Sequence, residues 1–430
     1  MRTDVLLAST VLVGTVTTGL ISRRSSAAAF FGERIRKSKR RAFFSSKSMA
    51  NSSSSSNVTT PLAEPVESSE EPLFRFGLIS DTQYVDAEDG SNFPKTKIRR
   101  YRHSLQVLHR AVASWNQQIR NGKPLDFVLQ LGDAIDGSCA ALNSSSSAVA
   151  DLVRAKEACV CQKWHWCIGN HEMYNFSTSE WVERLFLPEH QASSYYDFSP
   201  SEGWRVVVMD SYEICIMQPT GTENRAEAIR VLEENNPNDV INGGNWFQGV
   251  EGLQRRFVPY NGQFSATQLQ WLRGVLGGAA TAGERVIIAC HQPCYPAATN
   301  DCNLPFNYDL CLNILHEFKG VVVAWIAGHD HDGGYAVDEG GIHHMVPASP
   351  LEVEVGEDAF GHVEVFASEG LKVKWTGRMP RKGQWPETLL YPMPYGERVI
   401  QPEVAVNQPE VAVTLPPEEG DELVGIASSL

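Results

Sequence analysis

The sequence has no excess of basic residues. Its 430 residues include 37 Lys and Arg against 51 Asp and Glu, which gives a formal charge of −14. A general nucleic-acid binder needs a clustered basic face to neutralise phosphates, so the composition argues against a nucleic-acid partner. An acidic protein can still bind a phosphorylated small molecule if bound divalent cations dominate the local field.

The cysteines do not form a disulfide framework. Nine is an odd number, and their spacing follows no framework pattern. Cys159 and Cys161 are too close together for a CxxC site, and no second pair completes a zinc knuckle. We expect reduced, structural thiols at buried positions.

Long apolar runs are scarce, and the one at residues 5–21 lies in a leader that we do not expect to join the fold. Residues 1–63 hold ten Arg or Lys and only two acids, among many Ser, Ala and Thr. Three alternatives remain open. They are a plastid or mitochondrial transit peptide, an N-terminal anchor in which Arg23, Arg24 and the basic cluster at 34–41 keep the rest of the chain cytosolic, and translation from Met49. The third predicts a cytoplasmic protein, and only the second predicts a membrane partner.

From Leu73 onward, apolar strands alternate with helical stretches. The pattern predicts a leader at 1–72, one layered α/β (α+β) catalytic domain at 73–380, and a Pro- and Glu-rich tail at 381–430. A long helix is predicted over Arg99–Arg120, and a shorter one after the cap candidate Ser265. Residues 212–262 are rich in Asn, Gly and charge with little strand pattern, so they form a candidate substrate lid.

Five polar segments each follow an apolar run that is typical of a buried strand. They are SDTQ at 80–83, LGDAID at 131–136, GNHE at 169–172, CHQP at 290–293 and GHDH at 328–331. Polar residues at strand ends lie on loops that a rigid sheet can bring together. The segments therefore predict one functional site.

The donor types in these segments indicate a two-metal centre. The candidate ligands are Asp81, Gln83, Asp133, Asn170, His291, His329 and His331. Carboxylate and amide oxygens suit hard cations, imidazole suits manganese, iron or zinc, and thiolate is missing, so the set favours manganese. Two cations about 4 Å apart need a shared ligand, and we expect Asp133 to bridge them.

Such a pair can hydrolyse a phosphate ester or anhydride without a protein nucleophile. The cations acidify a water, orient it behind a phosphorus atom and neutralise charge on the phosphoryl oxygens. His171, next to ligand Asn170, is then free to face the leaving-group oxygen as an acid, and Glu172 is placed to orient it.

The segments resemble the calcineurin-like metallophosphoesterase superfamily over Phe74–Arg378. The resemblance implies a double β-sandwich flanked by helices, with a dinuclear site at strand-end loops. Gln83 stands where an imidazole normally follows the first aspartate by two, which favours manganese over zinc. With ISDTQYVDAEDGSNF, RRYRHSL, YNGQFSATQLQWL, AGHDHDGGY and GIHHMVPASPLEV, the chain resembles the manganese-dependent ADP-ribose/CDP-alcohol diphosphatase family.

That resemblance implies a ligand set and a reaction. One Mn²⁺ would be held by Asp81, Gln83, Asp133 and His331, and a second by Asp133, Asn170, His291 and His329, with His171 catalytic. The family hydrolyses the pyrophosphate bond of ADP-ribose and of CDP-alcohols such as CDP-choline or CDP-glycerol, giving AMP or CMP and a phosphorylated partner. The alternative is a cyclic-nucleotide phosphodiesterase or phosphomonoesterase with the same site. We expect a monomer.

Several residues are candidates for substrate binding. By the resemblance Phe93 lines the nucleotide pocket, and Phe264, Trp246 and Tyr260 are further candidates for base stacking. Guanidinium groups match phosphate oxygens in a bidentate way. The candidate phosphate clamps are Arg100, Arg102, Arg225, Arg255 and Arg256.

Overall fold

The computed structural model describes residues 70–92 and 94–392. The apolar run at 5–21, Phe93 and the QPEVAV repeats at 401–413 lie outside the described residues. Among the described residues, no helix is both long enough and apolar enough to cross a membrane.

The described chain alternates strands with helices. The strands are β1 (Phe74–Ile79), β2 (Gly90–Ser91), β3 (Ile98–Arg99), β4 (Phe127–Gln130), β5 (Trp164–Trp166), β6 (Tyr196–Phe198), β7 (Trp204–Val208), β8 (Ile214–Cys215), β9 (Gly262–Gln263), β10 (Arg285–Ala289), β11 (Val322–Ile326), β12 (Gly334–Val337), β13 (His343–Val346), β14 (Ala359–Val365), β15 (Leu371–Gly377) and β16 (Thr388–Leu389). The helices are α1 (Tyr101–Arg120), α2 (Ser138–Ala141), α3 (Ser145–Glu157), α4 (Asn170–Asn175), α5 (Thr178–Leu185), α6 (Glu223–Asn235), α7 (Ala266–Ala282) and α8 (Tyr308–Glu317).

Two six-stranded sheets form the layers of the domain. The first has the order β16-β15-β14-β1-β4-β5 and the second β12-β13-β11-β10-β7-β6. Strands β1, β4 and β5 are parallel, as are β7, β10, β11 and β13, whereas β14 to β16 and the edge strands β6 and β12 are antiparallel. The predicted layered double sheet is confirmed.

The two faces of the second sheet pack against different layers. Val206 and Val208 belong to the cluster that contains the first sheet, whereas Val207 packs in a second cluster with residues of α7 and α8. This follows from the two-residue period of a strand, which sends successive side chains to opposite faces. Phe74 of β1 meets Trp204 of β7 edge-on at 5.6 Å, so aromatic side chains connect the sheets.

The long helix predicted over Arg99–Arg120 begins at Tyr101, because Arg99 pairs with Gly90 in the β2–β3 hairpin. Its buried face includes Trp115, whose indole Nε1–H donates to the Gly361 carbonyl at 2.9 Å. Helix α7 begins after the predicted cap: the Ser265 hydroxyl accepts a hydrogen bond from the Gln268 N–H at 3.0 Å.

The segment 212–262 is more regular than the sequence analysis expected. It contains β8, α6 and a 3₁₀ turn at Gly252–Arg256, and Leu232, Val240 and Phe257 form a small apolar cluster with Phe306. Helix α6 was missed because it buries only Ala228 and Leu232, which is too weak a periodic signal among its charged residues.

The fold continues past the boundary predicted at residue 380. Strand β16 pairs with β15, and Trp385 and Leu389 are buried. Tyr391 donates through its hydroxyl to the Gly370 carbonyl at 3.0 Å. Residues 381–392 therefore pack on the domain, with β16 at the edge of the first sheet, which corrects the prediction that the tail begins at 381.

All nine cysteines are free thiols. Eight are buried, and Cys302 is partly exposed. Burial raises the pKa of the Cys161 thiol to about 11 and that of Cys290 to about 12, so these groups are protonated at neutral pH.

Candidate metal centre and catalytic cavity

The sheets bring the predicted ligands together at one edge. Asp81 and Gln83 follow β1, Asp133 follows β4, and Asn170 opens α4 after β5. In the second sheet His291 follows β10, and His329 and His331 follow β11. Because parallel strands end at the same edge, the loops after them converge although the residues span 250 positions of sequence.

The ligating atoms fall into two overlapping groups. Asp81, Asp133 and His331 form one, and Asp133, His291 and His329 form the other; within each group the atoms lie within 4.8 Å of one another. Asp133 is common to both groups. This arrangement is the one that two cations with a shared carboxylate require.

Gln83 presents an unused acceptor at this centre. Its Nε2 lies 2.9 Å from Asp133 Oδ2 and 2.9 Å from His331 Nε2. Its Oε1 is buried and has no hydrogen-bond partner among the described residues. A buried amide oxygen costs free energy unless it is satisfied, and a hard cation would satisfy it.

The backbone is strained at the same residues. Asp81, Gln83, Asp133 and His329 have φ values of +46°, +37°, +52° and +69°. The left-handed region costs a residue with a Cβ about 1–2 kcal/mol, and such strain concentrates at functional sites. Four of the six described non-glycine residues with positive φ are predicted ligands.

Two motif glycines allow the loops to approach each other. Gly132, in LGDAID, has φ +94°, and a Cβ there would lie 2.6 Å from His291 Nδ1. A Cβ on Gly169, in GNHE, would collide with the Asp133 carboxylate. Larger residues at these positions would separate the ligand loops.

Each imidazole is oriented by a partner on its outer nitrogen. His331 Nδ1 lies 2.8 Å from Glu352 Oε1, and His291 Nδ1 lies 2.7 Å from the Leu131 carbonyl. His329 uses the other nitrogen, with Nε2 2.9 Å from Asn261 Oδ1. Such partners fix the tautomer and leave the inner nitrogen free to bind a metal. Sequence reasoning missed Glu352 and Asn261, although both lie in segments that carried the family resemblance.

The electrostatics of the centre suit cations. Burial raises the pKa of Asp81. Burial also opposes charge on His291, but attraction to Asp133 raises the His291 pKa to about 9. Burial and the neighbouring His291 hold the pKa of His329 well below its ordinary value. A cation bound here would displace the proton of His291, because the same carboxylates attract it. Carboxylates, imidazoles and an unsatisfied amide oxygen therefore share a buried space, and these residues fit a pair of divalent cations.

His171 lies at the edge of the centre. Its Nε2 is 4.0 Å from Asp133 Oδ2, its Nδ1 accepts from the Gly137 N–H at 2.8 Å, and Asp136 Oδ2 lies 3.3 Å from Nδ1. Burial opposes the charged ring, but Asp133 and Asp136 raise the pKa of His171 above its ordinary value. The Gly137 N–H therefore orients the neutral ring, and Asp136 faces Nδ1 when the ring is protonated.

Glu172 has a different role from the one expected. Its side chain is fully buried and accepts 2.7 Å hydrogen bonds from the N–H groups of Asp133, Ala134 and Gly169. It holds two ligand loops together and does not orient His171. Sequence adjacency suggested the wrong partner because α4 turns Glu172 inward.

The centre opens into a cavity of about 650 Å³. Besides site residues, its lining includes Asn92, Pro94, Arg99, Tyr174, Trp246, Phe247, Arg255, Tyr260, Cys302, Asn303 and Glu352. The Tyr260 ring lies 5.7 Å from that of His329, and the Trp246 ring lies 6.1 Å from that of Tyr260. An aromatic wall supplied by the 212–262 segment therefore runs outward from the metal ligands. Arg255 packs over Phe247 at 4.7 Å and adds a cation to this wall.

Some of the predicted substrate-binding residues line the cavity, and others lie elsewhere. Trp246, Tyr260 and Arg255 line the cavity. Phe264 does not: it is 1% exposed in the core, edge-on to Trp325, so its assignment to base stacking is corrected. Arg102 is not among the residues that line the cavity either, so its assignment to phosphate binding is also corrected.

The guanidinium groups outside the cavity have other partners. Arg102 pairs with Asp86 and Glu88 at the surface, at 2.6 Å each. Arg100, Arg225 and Arg256 donate to the carbonyls of Val353, Gln218 and Phe306. Arg99 lines the cavity and was missed, because no pattern in the sequence distinguished it from its neighbour Arg100.

Comparison with known proteins identifies the family. The calcineurin-like phosphoesterase family model matches residues 74–333. The manganese-dependent ADP-ribose/CDP-alcohol diphosphatase of Arabidopsis thaliana is 40% identical, over 73% of this chain and 97% of the relative. The protein of that name from Homo sapiens is 36% identical, over 74% of this chain and 95% of the relative. A crystal structure of a dimetal phosphatase from Danio rerio matches with a TM-score of 0.66 at 33% identity, covering 72% of this chain and 98% of that one. The chain belongs to the manganese-dependent ADP-ribose/CDP-alcohol diphosphatase family of calcineurin-like phosphoesterases.

Proposed function

We propose that this protein hydrolyses the pyrophosphate bond of ADP-ribose and of CDP-alcohols. A water adds to one phosphorus, and the bridging oxygen leaves with the other phosphate, giving AMP or CMP and a phosphorylated partner. The observation that carries this proposal is the continuity of the cavity: one space holds both the metal-ligand groups that share Asp133 and the aromatic wall of Tyr260 and Trp246.

The metal ligands would hold two Mn²⁺ ions in the two overlapping groups. When bound, these cations supply Lewis-acid chemistry that neutralises charge on phosphoryl oxygens and lowers the pKa of water. The chain's contribution is to fix the donors before the substrate arrives. Glu352, Leu131 and Asn261 each orient one imidazole, and Glu172 joins the loops of Asp133 and Gly169.

His171 serves as the acid for the leaving group. Because Nδ1 accepts from the Gly137 N–H, the proton of the neutral ring resides on Nε2, the nitrogen that faces the centre. Asp136, 3.3 Å from Nδ1, stabilises the ring when it is protonated. In its imidazolium form, with Nδ1–H facing Asp136, His171 gives the proton on Nε2 to the departing phosphate oxygen. This leaves a neutral ring that carries its proton on Nδ1, and the ring is protonated again from solvent through the open cavity.

The nucleotide lies against the wall of the 212–262 segment. Base stacking on an aromatic side chain contributes about 1–3 kcal/mol and accepts both purines and pyrimidines. This tolerance supports a substrate range that includes both ADP- and CDP-linked compounds. Among the described residues, the guanidinium groups that line the cavity are those of Arg99 and Arg255, and both are placed to bind the substrate's phosphates.

The test is a product analysis with manganese. We expect ADP-ribose to give AMP and ribose 5-phosphate, and CDP-choline to give CMP and phosphocholine. A matched panel should include FAD, cyclic nucleotides and a generic phosphomonoester, each assayed with manganese and with magnesium. Release of inorganic phosphate from the monoester without AMP from ADP-ribose would overturn the proposal in favour of a phosphomonoesterase.

A further inference from the structure

Lys97 connects a wall of the cavity to a metal ligand. Its ammonium Nζ lies 3.0 Å from Glu352 Oε2 and 2.7 Å from Asp332 Oδ2. The other oxygen of Glu352, Oε1, lies 2.8 Å from His331 Nδ1. One carboxylate therefore contacts the imidazole ligand on one side and Lys97 on the other.

Glu352 depends on its cationic neighbours. Its side chain is only 3% exposed, so water contributes little to its solvation. Lys97 is the nearer cation at 3.0 Å, and Arg99 Nε lies 3.9 Å from Oε1. A buried carboxylate that loses its main cation changes position or draws in water. His331 would then lose the fixed orientation that Glu352 imposes.

Lys97 also fixes the β2–β3 hairpin, which forms one side of the cavity. The hairpin pairs Gly90 with Arg99 and Ser91 with Ile98. Its turn is closed by Asn92, whose Oδ1 accepts from the N–H of Thr96 at 2.8 Å and from that of Lys97 at 3.0 Å.

The cavity-lining residues of this hairpin are therefore tied to the position of Lys97. They are Asn92, Pro94 and Arg99. A displacement of Lys97 is transmitted to Asn92 through two backbone contacts: the Lys97 N–H donates to Asn92 Oδ1 at 3.0 Å, and the Asn92 N–H donates to the Lys97 carbonyl at 3.1 Å. Beyond the hairpin, the Arg100 N–H donates to the Leu351 carbonyl at 2.8 Å, next to Glu352 in sequence, so the hairpin and the Glu352 segment already share one backbone bond.

Asp332 holds Lys97 from the opposite side. Its Oδ1 lies 2.9 Å from Arg378 and 3.1 Å from Arg381, while Oδ2 faces Lys97. Asp332 is thus occupied by three cations, and loss of Lys97 would leave it paired. Without Lys97, Glu352 would keep only the more distant Arg99, at 3.9 Å, so the effect of removing Lys97 would fall on the His331 side.

We propose that Lys97 is a positioning residue that couples the hairpin wall of the cavity to the metal ligand His331 through Glu352. The same ion pair that orients His331 also sets the position of Asn92, Pro94 and Arg99. Metal binding and the shape of the substrate wall are therefore linked, and by reciprocity each affects the other. The part of this proposal that concerns substrate binding rests on the proposed function, whereas the part that concerns metal binding does not.

The test compares Lys97→Met, which keeps the length of the side chain and removes its charge, with Lys97→Arg, which keeps the charge. Lys95→Met is the matched control, because Lys95 is exposed on the same turn and lies outside the Glu352 ion pair. Manganese affinity is measured by calorimetry on folded, metal-free protein. Hydrogen exchange of the β2 and β3 amides is measured with and without manganese.

We expect Lys97→Met to lower manganese affinity by about tenfold or more, the usual size for loss of a partner behind a ligand. In the wild-type protein, manganese should slow amide exchange in β2 and β3, and Lys97→Met should abolish that slowing. Lys97→Arg should restore most of both effects, and Lys95→Met should change neither. The KM for ADP-ribose should rise with Lys97→Met more than kcat falls at saturating manganese.

A change in manganese affinity without a change in hairpin exchange, or the reverse, would overturn the coupling. Wild-type behaviour of Lys97→Met in both measurements would remove the role of Lys97. If the wild-type protein failed to hydrolyse ADP-ribose, the proposed function would fall, while the affinity and exchange measurements would still decide the coupling.

Discussion

Replacing Asn261 tests whether this residue orients the metal ligand His329 in addition to stabilising the fold. Asn261 is fully buried, and its side chain makes four hydrogen bonds. Its Oδ1 lies 2.9 Å from His329 Nε2 and 2.8 Å from Gln292 Nε2, and its Nδ2 donates to the carbonyls of Arg256 at 2.8 Å and Cys302 at 2.7 Å. Asn261→Ala removes all four bonds.

The expected stability loss follows from that count. A net contribution of about 0.5–1.5 kcal/mol for each bond gives about 2–6 kcal/mol in the free energy of unfolding. A domain stability of about 5–15 kcal/mol should leave the variant folded at low temperature. Without Asn261 the His329 ring can rotate or change tautomer, so manganese affinity should fall by about 10- to 100-fold.

Asn236→Ala is the matched control. Asn236 is 3% exposed and also makes four hydrogen bonds: its Nδ2 donates to the carbonyls of Trp246 and Phe257, and its Oδ1 accepts two bonds from Asn238. It belongs to the same 212–262 segment but touches no predicted metal ligand. We expect the two variants to lose similar stability in urea unfolding of the metal-free protein, and only Asn261→Ala to lose metal affinity.

The two variants should then differ in how strongly manganese stabilises them. At a free concentration of 100 times the wild-type Kd, one site contributes about 2.7 kcal/mol, and a 100-fold weaker site contributes about 0.4 kcal/mol. Unfolding with and without manganese, together with calorimetric titration, measures this difference. Equal manganese affinities in Asn261→Ala and Asn236→Ala would refute the assigned role of Asn261.

Three further predictions address the centre and the fold. Asp133→Asn should lower manganese content and turnover together, because Asp133 belongs to both ligand groups; metal analysis showing two bound ions would exclude it as the shared ligand. His171→Ala should slow hydrolysis by about 10²–10⁴ with manganese still bound, and a turnover within tenfold of wild type would remove its role as the acid. Burial and the neighbouring His190 lower the pKa of His165 to about 3. Between about pH 6.5 and pH 3, His165 is therefore protonated in the unfolded chain but not in the folded protein. Stability should therefore fall as pH drops from about 6.5 toward 3, by up to about 1.4 kcal/mol per pH unit, and His165→Phe should flatten that slope in urea unfolding at several pH values; an unchanged slope would contradict this reading.

Much of the fold could be predicted from local patterns. The apolar runs before each polar segment formed β1, β4, β5, β10 and β11, because continuous apolar runs of this length are typical of buried parallel strands. Ser265 marked the start of α7, because a hydroxyl cap satisfies a backbone donor whatever surrounds it. Helix α6 was missed because its helical form depends on packing around Leu232 and not on a strong period of its own.

The substrate residues were harder to predict than the metal ligands. Phe264 and Tyr260 lie four residues apart beside the same strand, yet Phe264 enters the core and Tyr260 lines the cavity. A local sequence gives an aromatic residue no preference between two apolar surroundings. The direction is set by the register of β8 with β9 and by the packing of Trp325.

The sequence by itself determined the chemistry of this protein: oxygen and imidazole donors at strand ends, with Gln83 in place of an imidazole, specified a manganese-type hydrolase. This was possible because donor type and strand pattern are local properties of the chain. Only the tertiary structure decided which group orients each imidazole and that Glu172 joins two ligand loops while the Gly137 N–H and Asp136 contact His171. It also decided that Lys97 contacts Glu352 from 255 positions away. Such contacts join distant segments, and their geometry exists only after both sheets have packed.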